Sequence, residues 1–245
     1  MKCFWHEPPK EIRLHRDQVH VYCLELDWLR SKLQNIQALL SPDEMERAHR
    51  YHFEIDQRRF ILRRGFLRQL LGAYLRIAPS QIRFSVNEYG KPALDSSLNA
   101  YLRFNLSFSE DLVLFAIAYE REVGVDVERV RSDFEIDAVA RRFFSTLEQS
   151  FLRKLPHHHQ AEAFFCGWTR KEAYLKAHGR GLSLPLDQFD VSLLPGEPAK
   201  LLATRHAPAD VQRWRMLHLE PAPGYVAALV VEGGNWNASC WRLIN

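Results

Sequence analysis

Hydrophobic and polar residues follow two different periods in the first half of the chain. Alternation over residues 19–26 predicts a first strand. Ser41 and Glu44 form a capping-box pattern at the start of a helix, and apolar positions with helical spacing predict a longer helix over residues 56–76. Shorter apolar runs predict strands at residues 82–86, 104–107 and 112–119. The last of these runs is almost wholly apolar, which indicates a central strand.

The second half repeats this mixture. A strand is expected from Val123, and Gly179 is a suitable left-handed end for a helix over residues 161–178. Further helices are expected at 133–144 and from Ser145, a loop at 155–160, and strands at 189–193, 200–204, 213–219 and 225–231. No Gly- or Ser-rich linker divides the halves. The pattern therefore predicts an α+β fold of two similar lobes, residues 1–122 and 123–245, with a cleft between them.

Composition narrows the class of protein. The chain has 245 residues, of which 47% are hydrophobic and 26% charged, so we expect a globular protein and not a disordered one. The formal charge of +3 is too small to imply nucleic acid. The four cysteines contain no Cys-x-x-Cys pair, which indicates neither a zinc ribbon nor a disulfide framework and favours a reducing cytoplasm. No signal-peptide core or membrane-spanning apolar run of ~20 residues is found.

Two carboxylates occupy alternate positions in the predicted strand that begins at Val123. Asp126 and Glu128 then emerge on one face, where like charges repel unless a cation lies between them. A hard divalent ion with oxygen ligands fits such a pair, and Glu172 is the candidate third ligand. Alternatively, the two acids form the solvated face of a half-exposed strand.

The helix that contains Glu172 carries a second charged group on the same face. Trp168, Glu172 and Lys176 are spaced by four residues, so a carboxylate for metal and an ammonium for phosphate lie one turn apart. The alternative is a surface ion pair worth ~0.3–0.5 kcal/mol. Trp168 in register argues for a buried or cleft-lining face.

Three oxygen ligands favour Mg²⁺ or Mn²⁺ over Zn²⁺, and the open positions on such an ion suit a phosphate-bearing substrate. Arg59, Arg63 and Arg64 share roughly one side of the long helix, and Lys91 lies in a Gly-Lys-Pro turn. An arginine-rich helix can also bind nucleic acid. We disfavour this alternative because the aromatic residues follow core spacing and form no stacking platform.

Five motifs in order carry a family resemblance, which runs over most of the chain. They are Asn87 to Pro92 (NEYGKP), Phe104 to Ser107 (FNLS), Gly124 to Glu128 (GVDVE), Arg142 to Ser145 (RFFS) and Trp168 to Lys176 (WTRKEAYLK). On these motifs the chain resembles the surfactin-type 4'-phosphopantetheinyl transferases. The segment from Arg59 to Leu70 and the Trp-rich tail resemble in particular the cyanobacterial form.

The resemblance implies a monomer of two small, mainly antiparallel sheets packed with helices and related by a pseudo-twofold axis. Coenzyme A would lie between the lobes, with Mg²⁺ bridging Asp126, Glu128 and Glu172 to its pyrophosphate. The implied reaction transfers the phosphopantetheine arm to a serine of an apo acyl, polyketide or peptidyl carrier protein and releases adenosine 3',5'-bisphosphate. No nucleic acid or membrane partner is expected.

The resemblance also implies roles for individual residues. Catalytic roles fall to Glu148, Glu172 and Lys176; coenzyme A would be bound by Arg59, Arg64, Lys91, Ser107, Phe108, Lys171 and Lys176. Glu148 is the candidate base for the serine hydroxyl, directly or through water. The residue is equally suited to close a capping box with Ser145, and both alternatives stay open.

One position departs from the family pattern. Phe108 stands where relatives commonly have a histidine that helps to hold a coenzyme A phosphate. Because a phenyl ring neither donates a hydrogen bond nor carries charge, we expect weaker coenzyme A binding, partly compensated by nearby arginines and Lys91.

Two remaining features favour ordinary structural roles. Adjacent histidines at 157–159 are interpreted as a solvated loop and not a metal site. Cys166, on an apolar helix face, is interpreted as a buried hydrophobe. The remaining alternative for the whole chain is a non-catalytic member of the fold that uses its basic surface to bind a partner or nucleic acid.

Overall fold

A computed structural model describes residues 3–98, 101–133 and 135–243. The strands are β1 (Trp5–His6), β2 (Gln18–Glu25), β3 (Phe84–Val86), β4 (Pro92–Leu94), β5 (Leu102–Ser109), β6 (Leu112–Tyr119), β7 (Val123–Arg129), β8 (Phe189–Val191), β9 (Leu201–Thr204), β10 (Trp214–Leu219), β11 (Tyr225–Glu232) and β12 (Asn237–Leu243). The helices are α1 (Leu33–Gln37), α2 (Pro42–His49), α3 (Glu54–Leu75), α4 (Ile136–Phe143), α5 (Thr146–Lys154), α6 (His157–His178) and α7 (Asp210–Arg213). Short 3₁₀ turns lie at Leu26–Lys32, Pro79–Gln81, Ser96–Leu98, Gly181–Ser183 and Leu186–Gln188. Helices and small sheets are therefore mixed as the sequence predicts, and the α+β class is confirmed.

A five-stranded sheet has the order β1-β12-β2-β6-β5. Strands β2, β6 and β5 pair antiparallel, whereas β12 pairs parallel with both β2 and β1. Residues 112–118 of β6 are all buried, which confirms the prediction of a central strand for this apolar run. Pairing in this sheet is antiparallel, as predicted, except for the two parallel pairings that β12 makes.

A second sheet has the order β10-β11-β7, with both pairings antiparallel. Helix α6 packs across it and shares a core with residues of β10 and β11 that include Trp214, Met216, Val226 and Ala228. Two short hairpins, β3-β4 and β8-β9, complete the described pairings.

Strand β12 crosses the predicted lobe boundary. The chain leaves β11 at Glu232 and returns to the sheet of the first half, where Cys240 pairs with Val21. The sequence analysis assigned no strand beyond residue 231 because Asn237–Leu243 mixes polar and apolar residues without clear alternation. The final strand therefore joins the two halves of the chain in one sheet.

The two long helices are alike in length and in the way they end. Each has 22 residues, and each is followed by a left-handed residue, Arg76 with φ 56° or Gly179 with φ 73°. The predicted end of α6 at Gly179 is confirmed. Its predicted start at 161 is wrong, because the helix begins at His157 and the three histidines form its exposed first turn. Helix α4 begins at Ile136 and not at 133; Phe134 lies outside the described residues.

Cysteine usage also differs from the prediction. Cys3 and Cys240 form a disulfide, with their Cα atoms 6.1 Å apart. The pairing of β1 with β12 brings these cysteines together, although 237 positions separate them along the chain, so spacing alone could not reveal the bond. Cys166 is buried and free, as expected. None of the described helices is long and apolar enough to cross a bilayer.

Gly124 marks the closest approach between α6 and β7. A Cβ atom at this position would collide with backbone atoms of Ala173 and Ala177. We predict that Gly124→Ala lowers the free energy of unfolding by about 1–3 kcal/mol, because backbone cannot move aside as a flexible side chain can. Urea denaturation measures this loss.

Gly234→Ala is the matched control. A Cβ at position 234 would have no heavy atom of the described residues within 4 Å. The free energy of unfolding of this variant should therefore stay within about 0.5 kcal/mol of the wild-type value. A Gly124→Ala protein as stable as this control would mean that the strand and the helix do not pack so closely.

Candidate active site

Two edge strands of different sheets lie side by side, joined by side chains in place of a backbone ladder. Asn105, Ser107 and Ser109 occupy alternate positions of β5 and so face the same way. The bonds join Asn105 Oδ1 to the Val125 N–H (2.9 Å), Ser107 Oγ to Asp126 Oδ1 (2.8 Å) and Ser109 Oγ to Glu128 Oε2 (2.9 Å). We call this contact the β5–β7 seam. It orients both carboxylates of the motif on β7.

Asp126 is the most constrained acid at the seam. Its side chain is 6% exposed, and Oδ1 accepts hydrogen bonds from the Ser107 hydroxyl and, at 2.6 Å, from the Lys176 ammonium. The other oxygen, Oδ2, is buried without a hydrogen-bond partner among the residues the structure describes. A buried carboxylate oxygen in this state is costly, and a cation would satisfy it.

The other two acids show the effect of negative charge nearby. Burial raises the pKa of the Glu172 carboxyl, and the charges of Asp126 and Glu128 raise it further. Burial and the charge of Asp126 also raise the pKa of Glu128, although the Ser109 hydroxyl opposes this shift. Each acid therefore lies within electrostatic reach of the others, as expected for groups that share one space.

The three acids do not form a closed ligand set. Within residues 3–98, 101–133 and 135–243, no three His, Cys, Asp or Glu side chains form a ready-made metal cluster. The Lys176 ammonium holds one oxygen of Asp126 instead. The all-oxygen donor set and the unpartnered Oδ2 nevertheless suit a hard divalent cation, and Asp126, Glu128 and Glu172 are the side chains available to hold one.

A cavity of about 390 Å³ opens beside these residues. Glu172 and Lys176 of α6 line one part, together with Asn105, Leu106 and Phe108 of β5. The rest of its wall comes mainly from the first half of the chain and includes Arg47, Tyr51, Phe60, Arg63, Arg64 and Lys91. Residues from both halves thus meet around one space.

Of the predicted arginines, Arg64 lines the cavity and Arg59 does not. Arg64 bonds Glu44 and lies with its guanidinium 3.6 Å from the Phe84 ring centroid. Arg59 instead makes a two-pronged bond to Asp111, with Nε and Nη2 at 2.8 and 2.9 Å from the two carboxylate oxygens. Arg59 therefore lies outside the cavity wall with its charge already paired, and its assignment to coenzyme A stays a prediction.

Lys91 reaches the cavity wall, but its ammonium is already bonded. The Nζ atom donates to Glu122 at 2.7 Å and to the carbonyl of Ala177 at 3.0 Å. Asn87 from the same turn donates to the carbonyl of Gly179. This arrangement ties the turn to the end of α6, so the ammonium of Lys91 acts in the structure as a brace between the halves and not as a free phosphate ligand.

Glu148 and Lys171 form a buried ion pair of 2.8 Å inside the C-terminal half. Lys171 also donates to the carbonyls of Leu186 and Phe189, while Glu148 accepts from the N–H groups of Ser145 and Val191. Neither residue lines the cavity with Glu172 and Lys176. In this structure all three ammonium donors of Lys171 are used and Glu148 closes the capping box, so this geometry gives no support to their assignments to coenzyme A and to the catalytic base, which stay predictions.

The two predicted residues of β5 take different positions. The hydroxyl of Ser107 is 2.9 Å from Lys176 Nζ, inside the seam. Phe108 points the other way along the strand alternation, is 44% exposed, and lines the cavity under Arg63. The sequence analysis missed Asn105 and Ser109, although the period of two through Ser107 was a signal that could have identified them.

Comparison with known protein families identifies the class of protein to which this chain belongs. Residues 122–230 match the model of the 4'-phosphopantetheinyl transferase superfamily, and residues 27–120 match the model of the 4'-phosphopantetheinyl transferase N-terminal region. The chain belongs to the 4'-phosphopantetheinyl transferases, as the resemblance indicated.

Individual relatives agree over most of their length. The chain is 41% identical to the 4'-phosphopantetheinyl transferase HetI of Nostoc sp., over 97% of this chain and 98% of HetI. Identity is 32% to Sfp of Bacillus subtilis, over 85% and 90% of the two chains, and 33% to psf-1 of Bacillus pumilus, over 79% and 80%. All three carry the name 4'-phosphopantetheinyl transferase.

We predict that Glu172→Gln stabilises the chain when no metal is added. The pKa of Glu172 is higher in the folded state, so stability falls as the pH rises from the ordinary glutamate pKa to the folded value, and the full loss is present above the folded value. Glutamine resembles the uncharged acid. Near pH 8 the melting temperature should rise by about 2–4 °C, for relief on the order of 1 kcal/mol, and calorimetry measures it.

Two comparisons make this stability result specific. The gain should vanish as the pH falls below the ordinary glutamate pKa of about 4.3, where the wild-type acid is itself protonated. Glu162→Gln, at an exposed position of the same helix, should leave the melting temperature unchanged. A lower melting temperature for Glu172→Gln would show that the carboxylate is stabilised and not strained.

A second prediction tests the buried ion pair. Lys171→Met leaves Glu148 buried without its charged partner, so the free energy of unfolding should fall by about 3–5 kcal/mol. Denaturant titration measures the change. Lys154→Met, at an exposed position of α5, is the control and should change stability by at most about 0.5 kcal/mol. Equal stability of the two variants would contradict a structural role for Lys171.

Proposed function

We propose that this chain transfers the 4'-phosphopantetheine arm of coenzyme A to a serine hydroxyl of an apo carrier protein and releases adenosine 3',5'-bisphosphate. One observation carries the proposal: the cavity between the halves has Glu172 and Lys176 at one part of its wall and Arg47, Arg63 and Arg64 at another. A ligand with phosphates at two separate places suits such a wall. The family membership supports the same reaction.

Asp126, Glu128 and Glu172 are proposed to hold Mg²⁺, with Mn²⁺ as a substitute. All their donor atoms are oxygens, and Asp126 Oδ2 has no other partner among the described residues. When bound, the ion would neutralise charge on the pyrophosphate and orient it for attack. Positive charge there would also end the repulsion that raises the pKa values of Glu128 and Glu172.

Lys176 is proposed to stabilise negative charge on the pyrophosphate as the arm leaves. Its ammonium lies at the seam on Asp126 and Ser107, and the residue lines the cavity. An ammonium fixed before the reaction stabilises developing charge without reorganising at that moment. The Ser107 hydroxyl holds this lysine in place and donates its own proton to Asp126.

The partner would be an apo acyl, polyketide or peptidyl carrier protein whose serine lies among acidic residues. The formal charge of +3 agrees with attraction of an acidic partner. We further propose that the chain acts as a monomer in the cytoplasm, without nucleic acid. A non-catalytic binding module is not favoured, because burying mutually repelling carboxylates costs stability that partner binding alone would not require.

The test is transfer to a panel of purified apo carrier domains, followed by intact mass. With coenzyme A and Mg²⁺, we expect the carrier to gain the mass of the arm, and EDTA should prevent the gain. Asp126→Asn should lower the rate at least ~10²-fold, because a neutral amide is a poor metal ligand and a weaker partner for Lys176. Asp187→Asn, at an exposed position of the same half, is the matched control.

Full transfer by Asp126→Asn, or undiminished transfer in EDTA, would contradict the proposed metal site. No mass gain on any acyl, polyketide or peptidyl carrier, with Mg²⁺ or Mn²⁺ present, would contradict the proposed activity.

A further inference from the structure

Arg63 is a half-buried guanidinium without a carboxylate partner. Among the described residues no Asp or Glu forms an ion pair with it, whereas Arg59, Arg64 and Arg68 each have one. Burial lowers the pKa of Arg63, and the Tyr51 hydroxyl opposes this shift more strongly than the carboxylate of Asp56 does. A partly buried charge of this kind is unfavourable unless an anion pairs with it.

Aromatic rings hold this guanidinium in a defined plane. Its central carbon lies 3.6 Å from the centroid of the Phe108 ring and 5.9 Å from that of Phe60. Tyr51 is a side-chain hydrogen-bond partner of this guanidinium, but stacking on a ring face leaves further N–H groups available at its edge. Arg63 and both rings line the cavity, so an anion inside it can meet those N–H groups.

Positive charge is in excess around Arg63. Arg64 and Arg68 share the single carboxylate of Glu44, and Arg47 lies over the Phe60 ring at 5.5 Å without a described ion pair. At the other part of the cavity wall, Glu172 of the proposed metal site and Lys176 account for one phosphate-binding region only. The arginine part therefore offers charge for a second anionic group.

Coenzyme A carries two such groups, a 5'-pyrophosphate and a phosphomonoester on the ribose 3'-oxygen. If the pyrophosphate lies at the acids and Lys176, as proposed above, the phosphomonoester is the group left for the arginines. We infer that Arg63, held on the face of Phe108, is the residue that selects coenzyme A by its 3'-phosphate. This inference rests on the proposed function and names a specificity determinant within it.

The inference also explains Phe108. The sequence analysis expected weaker coenzyme A binding because a phenyl ring cannot contact phosphate. In the structure the ring has another use, since it positions a permanently charged group beside the place where the expected histidine would stand. Arg63 and Phe108 thus act as one unit, in which the ring orients and the guanidinium binds.

Isothermal titration of the full chain with coenzyme A and with 3'-dephospho-coenzyme A tests this unit. The wild-type chain should bind coenzyme A more tightly. Arg63→Gln should weaken coenzyme A binding about tenfold or more, the usual effect of losing a charge-assisted hydrogen bond, and change dephospho-coenzyme A binding less than about twofold. The preference between the two ligands should therefore nearly disappear.

Two further variants separate the roles. Phe108→Leu keeps an apolar side chain but removes the ring, so the preference should fall in the same direction by a smaller factor. This variant carries the test if Arg63→Gln does not fold. Arg58→Gln removes the same charge from the same helix at a position outside the cavity wall, and it should keep the wild-type preference.

The outcomes distinguish this inference from the proposed function. Equal weakening of both ligands by Arg63→Gln, or no weakening, would overturn the selective role of Arg63. Equal binding of both ligands by the wild-type chain would do the same while leaving arm transfer intact. Failure of the wild-type chain to bind coenzyme A at all would instead count against the proposed function.

Discussion

The structure depends on the seam between β5 and β7, where side-chain hydrogen bonds replace a backbone ladder between two sheets. Asp126 is its centre, because one carboxylate oxygen accepts from Ser107 on β5 and from Lys176 on α6. Three elements from distant parts of the chain are thereby held by one atom. The seam also covers two sheet edges that would otherwise present unpaired backbone groups to solvent.

The seam concentrates negative charge where the fold can least screen it. Asp126 is buried, and its charge raises the pKa values of Glu128 and Glu172 in addition to the effect of burial. Lys176 offsets part of this repulsion. We therefore expect lower stability than with neutral residues at these positions, which is the usual relation between a functional site and the fold that supports it. The repulsion is also what makes a divalent cation a favourable occupant.

Local signals predicted the elements better than the long-range partners. The central strand β6, both capping boxes and the end of α6 at Gly179 follow from residues within a few positions of one another. Such local signals do not predict which basic residues stay free to bind phosphate. Arg59, Lys91 and Lys171 lose their availability to Asp111, Glu122 and Glu148, and only the tertiary structure brings these pairs together. The same holds for the Cys3–Cys240 bond, which requires β12 to return to the first sheet.

The cavity can recognise anions by two different means. Beside the seam, Glu172 and Lys176 line the wall, and a metal ion held by the acids would strengthen phosphate binding there, so affinity in that region is linked to the ion. Around Arg63 the charge is fixed and the guanidinium is held on Phe108, so recognition needs no ion. A ligand with two phosphate groups can therefore bind through one of them at the arginine part of the wall before a metal ion binds the other, reacting group. This separation lets one part of the wall determine which ligand binds and the other determine when it reacts.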